Sequence, residues 1–432
     1  MFYRGSLSRK RDWLLVFLVF LLLFQLYGVA NPGVGAYSSG DDWPMFLHDP
    51  SHTGSTASAG PSEPVVLWRF PVPNDVYASA AVVNGVVYVG GNDNIYALDA
   101  YTGAKIWNYS TSYSWSSPAV SEGVVFIGAD GDILALDALT GTKIWSFPTT
   151  GRVVSSPAVV DGMVYVGSFE GNLYALNAST GSKIWDYTIM DTGHGTEVLS
   201  SPAVVDGVVY FGALDDNVYA LKASTGEKIW NHTVRLGVTS APAVSEGVVY
   251  VSSDTYYLYA LSAASGEEMW HFTVSDLVQR LKGYSPTVAS GVVYVRSSDF
   301  GELYALDAST GDLKWVSPGY INTRGSAAIV GDVVYSGTGA VNASTGEEMW
   351  HFPTDADKVY ASPAVSNGVL YVATRDGYFY AIGEPLTTPP PTPNPKEDSF
   401  PIEWIIAAVA ILAVFGATLL VYFKKRKRYK VS

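Results

Sequence analysis

The chain has 432 residues, 48% hydrophobic and only 15% charged, so it can bury a large core and is not a disordered polymer. Its 42 glycines and 23 prolines point to many tight turns rather than a helical bundle. The lack of cysteine removes disulfides, thiolate metal sites, thiol nucleophiles and a lipidated N-terminal cysteine. Two basic ends leave 16 basic against 38 acidic groups between residues 31 and 400, a surface that repels phosphate backbones, so no nucleic-acid partner is expected.

In chain order, Arg9, Lys10 and Arg11 precede the apolar run 13–24, and Gly28, Val29 and Ala30 supply the small residues a signal peptidase needs. Residues 1–30 are therefore expected to be a secretory signal. The alternative is an uncleaved anchor, because the apolar run extended to Ala30 approaches the shortest spanning length. A lead-in segment, 31–61, follows. Within it His48 and His52 flank Asp49 without a third partner, so they are read as packing groups and no metal is expected.

From 62 to 384 the chain repeats itself. The pattern Ala-x-(Asp/Asn)-Ala-x-Thr-Gly-x-x-x-Trp, as at 97–107, places Trp107, Trp145, Trp185, Trp230, Trp270, Trp315 and Trp350, with Trp68 lacking only the preceding half. Between tryptophans lie a Ser-Pro-Ala-Val segment, an (Asp/Asn/Glu)-Gly turn, a Val-Val-Tyr-Val-Gly segment and a Leu-Tyr-Ala-Leu-Asp segment. With the Trp segment these read as four short antiparallel strands, A to D. Four strands every 35 to 45 residues predict propeller blades. The last unit lacks strand D, and the orphan strand around Trp68 is expected to supply it. The fold class is thus all-β, an eight-bladed β-propeller of four-stranded antiparallel blades closed by an N-terminal strand. The seventh unit has lost about five residues of its B–C hairpin and is expected to be stunted.

The residue two before the strand-A serine position should ring the mouth of the axial channel. There Arg324, Tyr360, Tyr77 and Trp115 form a contiguous arc that either stacks a sugar or other planar ligand or plugs the channel. Asp130-Gly131, Glu170-Gly171 and Asp376-Gly377 are read as hairpin turns rather than calcium ligands. Of four Asn-x-Ser/Thr sequons, Asn108 and Asn231 are the better glycosylation candidates, because Asn177 and Asn342 occupy the repeat's Asp position.

Residues 385–400 form a Pro/Thr-rich stalk that stays extended. Within 401–423, the 20 uncharged residues 404–423 match a bilayer core, so this segment is expected to be a transmembrane helix. The basic tail 424–432 then holds the C-terminus in the cytoplasm and the propeller outside, on the cell membrane.

The Asp-x-x-Thr-Gly-x-x-x-Trp motif, together with Asp42-Trp43-Pro44-Met45-Phe46, resembles the pyrroloquinoline-quinone-like β-propeller repeat family over about residues 41–384. The resemblance implies that each Trp docks on the Thr-Gly peptide of a neighbouring motif. It also implies, as one alternative, a quinone- and calcium-dependent dehydrogenase. The missing vicinal cysteine pair and the short blades speak against that reading, so neither enzyme activity nor a cofactor is expected. An envelope assembly scaffold is the second alternative, although that propeller is lipidated through a cysteine this chain lacks. The reading preferred is a membrane-anchored extracellular propeller that binds a protein or glycan through its loop face.

Overall fold

The computed structural model describes residues 42–384 apart from positions 73–75, 92, 112–113, 191–192, 275–280, 282–283, 298–300, 318–324 and 354–358. The predicted signal, stalk, transmembrane helix and basic tail lie outside the described residues, as does Arg324. Every regular element among the described residues is a strand, and none of these residues forms a helix long and apolar enough to cross a membrane.

Within the compact unit Ser38–Pro385 the strands form eight antiparallel blades. Blade one is Ala81–Val83, Val86–Gly90, Asn94–Asp99 and Lys105–Ser110, its strands A to D. Strands B and C are buried on both faces between neighbouring blades, which is why they read as continuous apolar runs. Strand D buries only its inner side. Asn84 and Gly85 both have positive φ, 52° and 73°, as a two-residue A–B hairpin requires. In strand D a bulge between Lys105 and Trp107 turns Ile106 outward and leaves it 48% exposed. The bulge recurs in the other blades and disrupts the outer edge, with charged residues beside it, which discourages edge-to-edge pairing.

The ring closes as the sequence predicts. Val66–Pro71 pairs with Tyr378–Gly383, with Trp68 opposite Ala381, and Ser62 donates to the Glu384 carboxylate where the two chain ends meet. Blade seven is stunted: Val333–Ser336 and Gly339–Asn342 are joined by the two residues Gly337 and Thr338 alone.

The docking motif is realised in seven of its eight expected copies. Asp99 Oδ1 accepts from the backbone N–H groups of Tyr101 and Thr102 and from the Thr102 hydroxyl, shaping a turn that ends at Gly103 with φ 69°. Trp68 lies on that glycine so closely that a Cβ there would come within 2.6 Å of the indole. Its Nε1–H donates to Ala100 O at 2.9 Å, and Tyr371 donates to the same carbonyl. Trp107, Trp145, Trp185, Trp230, Trp270 and Trp315 repeat the arrangement on Ala138, Ala178, Ala223, Ala263, Ala308 and Ala343. Trp350 corrects the expectation. Its socket would be the C–D turn of blade eight, but that blade takes strands C and D from opposite ends of the chain, so no Thr-Gly turn joins them. Its buried Nε1–H finds no hydrogen-bond partner among the described residues. The tyrosine of the same blade is rescued: Tyr335 donates to Pro61 O in the lead-in segment, across the side-chain-free Gly60.

The lead-in segment is a strap that tours the inner strands, a role its sequence does not advertise. Strand A is an edge, and its middle N–H needs an acceptor. Trp43, Pro44, Pro50, Ser51, Thr53 and Gly54 offer backbone carbonyls in turn to Val82, Val120, Val204, Val244, Val288 and Ile329, at 2.7–2.9 Å. Met45 covers blade three through the core that holds Val159, Ser55–Thr56 adds a parallel strand to Ala328–Val330, and Ala59 reaches Gly368. Asp49 holds the tightest bend, accepting from Ser51 N–H, Thr53 N–H and the Thr53 hydroxyl. His52 is fully buried with Nδ1 3.0 Å from Pro242 O, and the half-buried His48 meets the Trp43 ring edge-on at 4.9 Å.

Candidate functional site

Strand A brings the smallest residues to the axis, and the serine at its start does more than fill space. In five blades the backbone N–H of this serine donates to the serine hydroxyl of the next blade: Ser326 to Ser362, Ser362 to Ser79, Ser79 to Ser117, Ser117 to Ser156 and Ser156 to Ser201, all at 2.9–3.0 Å. Ala241 interrupts the ring because it has no hydroxyl, and its own N–H donates to Ser285. These serines are at least 92% buried, yet they wall an axial cup of about 190 Å3. Phe46 of the strap, edge-on to His52, also lines it, with Tyr77, Trp115, Val154, Thr239, Tyr284 and Tyr360. Behind the wall Thr239 donates to Asp254, whose burial holds its carboxyl above the usual range. Arg296 ends strand B of blade six, where blades one to four carry glycine. Burial lowers its guanidinium to about 10, and Tyr284 is the neighbour that favours its charge.

Three of the four residues read from the sequence as an arc are brought together. Tyr77 stacks on Tyr360 with ring centroids 4.9 Å apart and meets Trp115 at 5.0 Å. Tyr77 and Trp115 are each 36% exposed, so the rim is open to solvent. A guanidinium does reach the arc, but it belongs to Arg375 in the B–C turn of blade eight, which lies over the Tyr360 ring at 5.2 Å and donates to its hydroxyl at 3.2 Å. The only sequence signal for it was a basic residue in a hairpin turn on the loop face. Trp115 also walls a second recess of about 480 Å3 between blades two and three, lined by Asp130, Thr149, Thr150 and Arg152, where Thr111 donates to Asp130 at 2.6 Å. The turns read as such are turns: Asp130, Gly131, Gly171 and Gly377 all have positive φ. In the long loop after Trp185, His194 lies 2.7 Å from Asp216. Asn108 and Asn231 are exposed on strand D, whereas Asn177 and Asn342 shape docking turns.

The cup does not suit the cofactor pair that the resemblance implies. An anionic quinone with a divalent cation needs carboxylate ligands and cationic partners, but the described lining is serine, aromatic and small aliphatic side chains with none charged. Among the described residues no group of three or more His, Asp or Glu is placed to hold a metal.

This architecture is that of the quinoprotein-type β-propellers. The family model described as outer membrane protein assembly factor BamB matches residues 64–216 and 214–340, and the chain belongs to this family. It is similar in structure to BamB from Moraxella catarrhalis, with a TM-score of 0.64 at 18% identity over 74% of this chain and 100% of that one. The quinohemoprotein alcohol dehydrogenase from Comamonas testosteroni gives 0.68 at 17% identity over 83% of each chain. In sequence it is 31% identical to a tetrathionate hydrolase of Acidithiobacillus ferrooxidans over 24% of this chain, and it spans about a quarter, 26%, of that relative.

Proposed function

We propose that this protein is a membrane-anchored binding scaffold, its propeller outside the cell, that engages a protein or glycan partner through the face carrying the B–C turns and D–A loops. The observation that carries this reading is the stacked rim of Tyr77, Trp115 and Tyr360, held open to solvent above a cup whose lining has hydroxyls and rings but no charged group. Aromatic surfaces on a rigid frame bind at low entropic cost. Membership of a family described by an assembly factor supports a scaffold rather than a catalyst. The apolar segment 404–423 and the basic cluster after it supply the anchor and its orientation.

The test has two arms. Protease added to intact cells should remove the propeller and spare the tail; protection of the propeller would refute the topology. Trp115→Ala should abolish capture of surface glycans or proteins with little change in melting temperature, because the side chain is already 36% exposed. Trp185→Ala should lower stability by about 3–5 kcal/mol, as buried tryptophan truncations do. Equal destabilisation by both would make the rim a packing element and end the proposal.

A further inference from the structure

Resting on the scaffold reading, we infer that the axial cup takes one neutral pyranose ring, the terminal sugar of a glycan whose following units lie in the recess on the other side of Trp115. Size comes first. At about 190 Å3 the cup is smaller than the roughly 300–1,000 Å3 that encloses drug-sized ligands, so it admits a single ring. Phe46 of the strap is part of its wall, and the rest of the glycan leaves past the rim.

Hydrogen bonding comes second. Ser79, Ser117, Ser156, Ser201, Ser285 and Ser362 each spend an acceptor lone pair on a backbone N–H of the preceding blade. Their hydroxyl protons have no acceptor among the described residues, though the side chains are at least 92% buried. A hydroxyl is also a donor, and a buried donor is costly to leave unmade. The wall therefore offers a circle of O–H donors to a ligand rich in oxygen acceptors. No described lining side chain is charged, and the segment between residues 31 and 400 is strongly acidic, which disfavours an anionic sugar. The rim gives the C–H face of a pyranose a flat aromatic surface, Trp115 dividing the cup from the larger recess with Asp130 and Thr149.

The inference is tested on the full-length chain in detergent, titrated with a panel of neutral methyl glycosides and, separately, with sodium glucuronate, by saturation-transfer NMR and calorimetry. One or more neutral glycosides should bind and glucuronate should not. Ala241→Leu fills the cup while keeping the Ala241 N–H bond to Ser285, and should weaken that glycoside at least roughly tenfold with the melting temperature unchanged. Trp115→Ala should weaken it by roughly tenfold, about what an aromatic stacking contact contributes, and stands in if Ala241→Leu fails to fold. Partner capture that needs Trp115 but is indifferent to Ala241→Leu would overturn the cup and leave the scaffold standing. Failure of every neutral glycoside to bind, as for a cup that holds only water, would overturn it too.

Discussion

Trp350 offers the sharpest test of how the blades are held together. Seven indoles rest on a glycine and donate to an alanine carbonyl, while the eighth, buried to the same 8% exposure as Trp68, Trp107 and Trp230, has its N–H without an acceptor among the described residues. Consider Trp→Phe at both kinds of site. At Trp185 the change deletes a 2.9 Å hydrogen bond, worth about 1 kcal/mol net. Ala223 O keeps the Tyr165 hydroxyl at 3.1 Å, so no acceptor is orphaned. The smaller ring adds about 1 kcal/mol for lost packing, giving a cost near 2 kcal/mol. At Trp350 the packing loss is the same, but removing an unsatisfied buried donor returns about 1–3 kcal/mol, so the change should be neutral or stabilising. Urea unfolding followed by fluorescence should therefore separate Trp185→Phe from Trp350→Phe by about 3 kcal/mol. On heating the gap is roughly 2 °C for each kcal/mol in a domain of this size. Equal losses at the two positions would show that the seam supplies Trp350 with a partner, and the account of the split blade would fall.

Two other outcomes follow from the same architecture. Deleting 62–72 removes strand D of blade eight and exposes Tyr378–Gly383 as a long edge, so the protein should aggregate or melt earlier; unchanged solubility and melting would disprove the closure. His52, by burial and despite the attraction of Asp49, is lowered to about 4 from an ordinary 6.5. Between those values the unfolded chain binds a proton that the folded chain refuses. Its contribution is thus complete above about pH 6.5 and lost as the pH falls to 4, by up to about 3 kcal/mol. Melting curves of His52→Gln should be flatter across that window than those of the parent, and identical slopes would contradict the burial.

What could be read in advance follows from repetition. A side-chain pattern that recurs every blade declares its period, its four strands and even the missing strand D, because Trp68 and 378–383 are complementary halves of one unit. The unpaired Trp350 was legible by the same count: eight tryptophans stand against seven Thr-Gly or Ser-Gly turns, the last at Thr345-Gly346. The strap was not legible, because it works through backbone carbonyls of a segment that occurs once, and carbonyls leave no mark in a side-chain pattern. The serine ring was visible as a letter but not as a bond, since Ser79 and Ser117 meet only after the blades are closed on an axis. The rim shows the reverse case. Positions that make the same interblade contact in every copy carry the same residue type, as Gly103 and Gly141 do beneath their tryptophans. The position two before the serine makes no such shared contact, and there the copies diverge to Tyr77, Trp115, Val154, Leu199, Thr239 and Tyr360. In a ring built from one repeated unit, partner chemistry can reside only where the copies differ, and at the axial mouth the largest aromatic departures are those of blades eight, one and two.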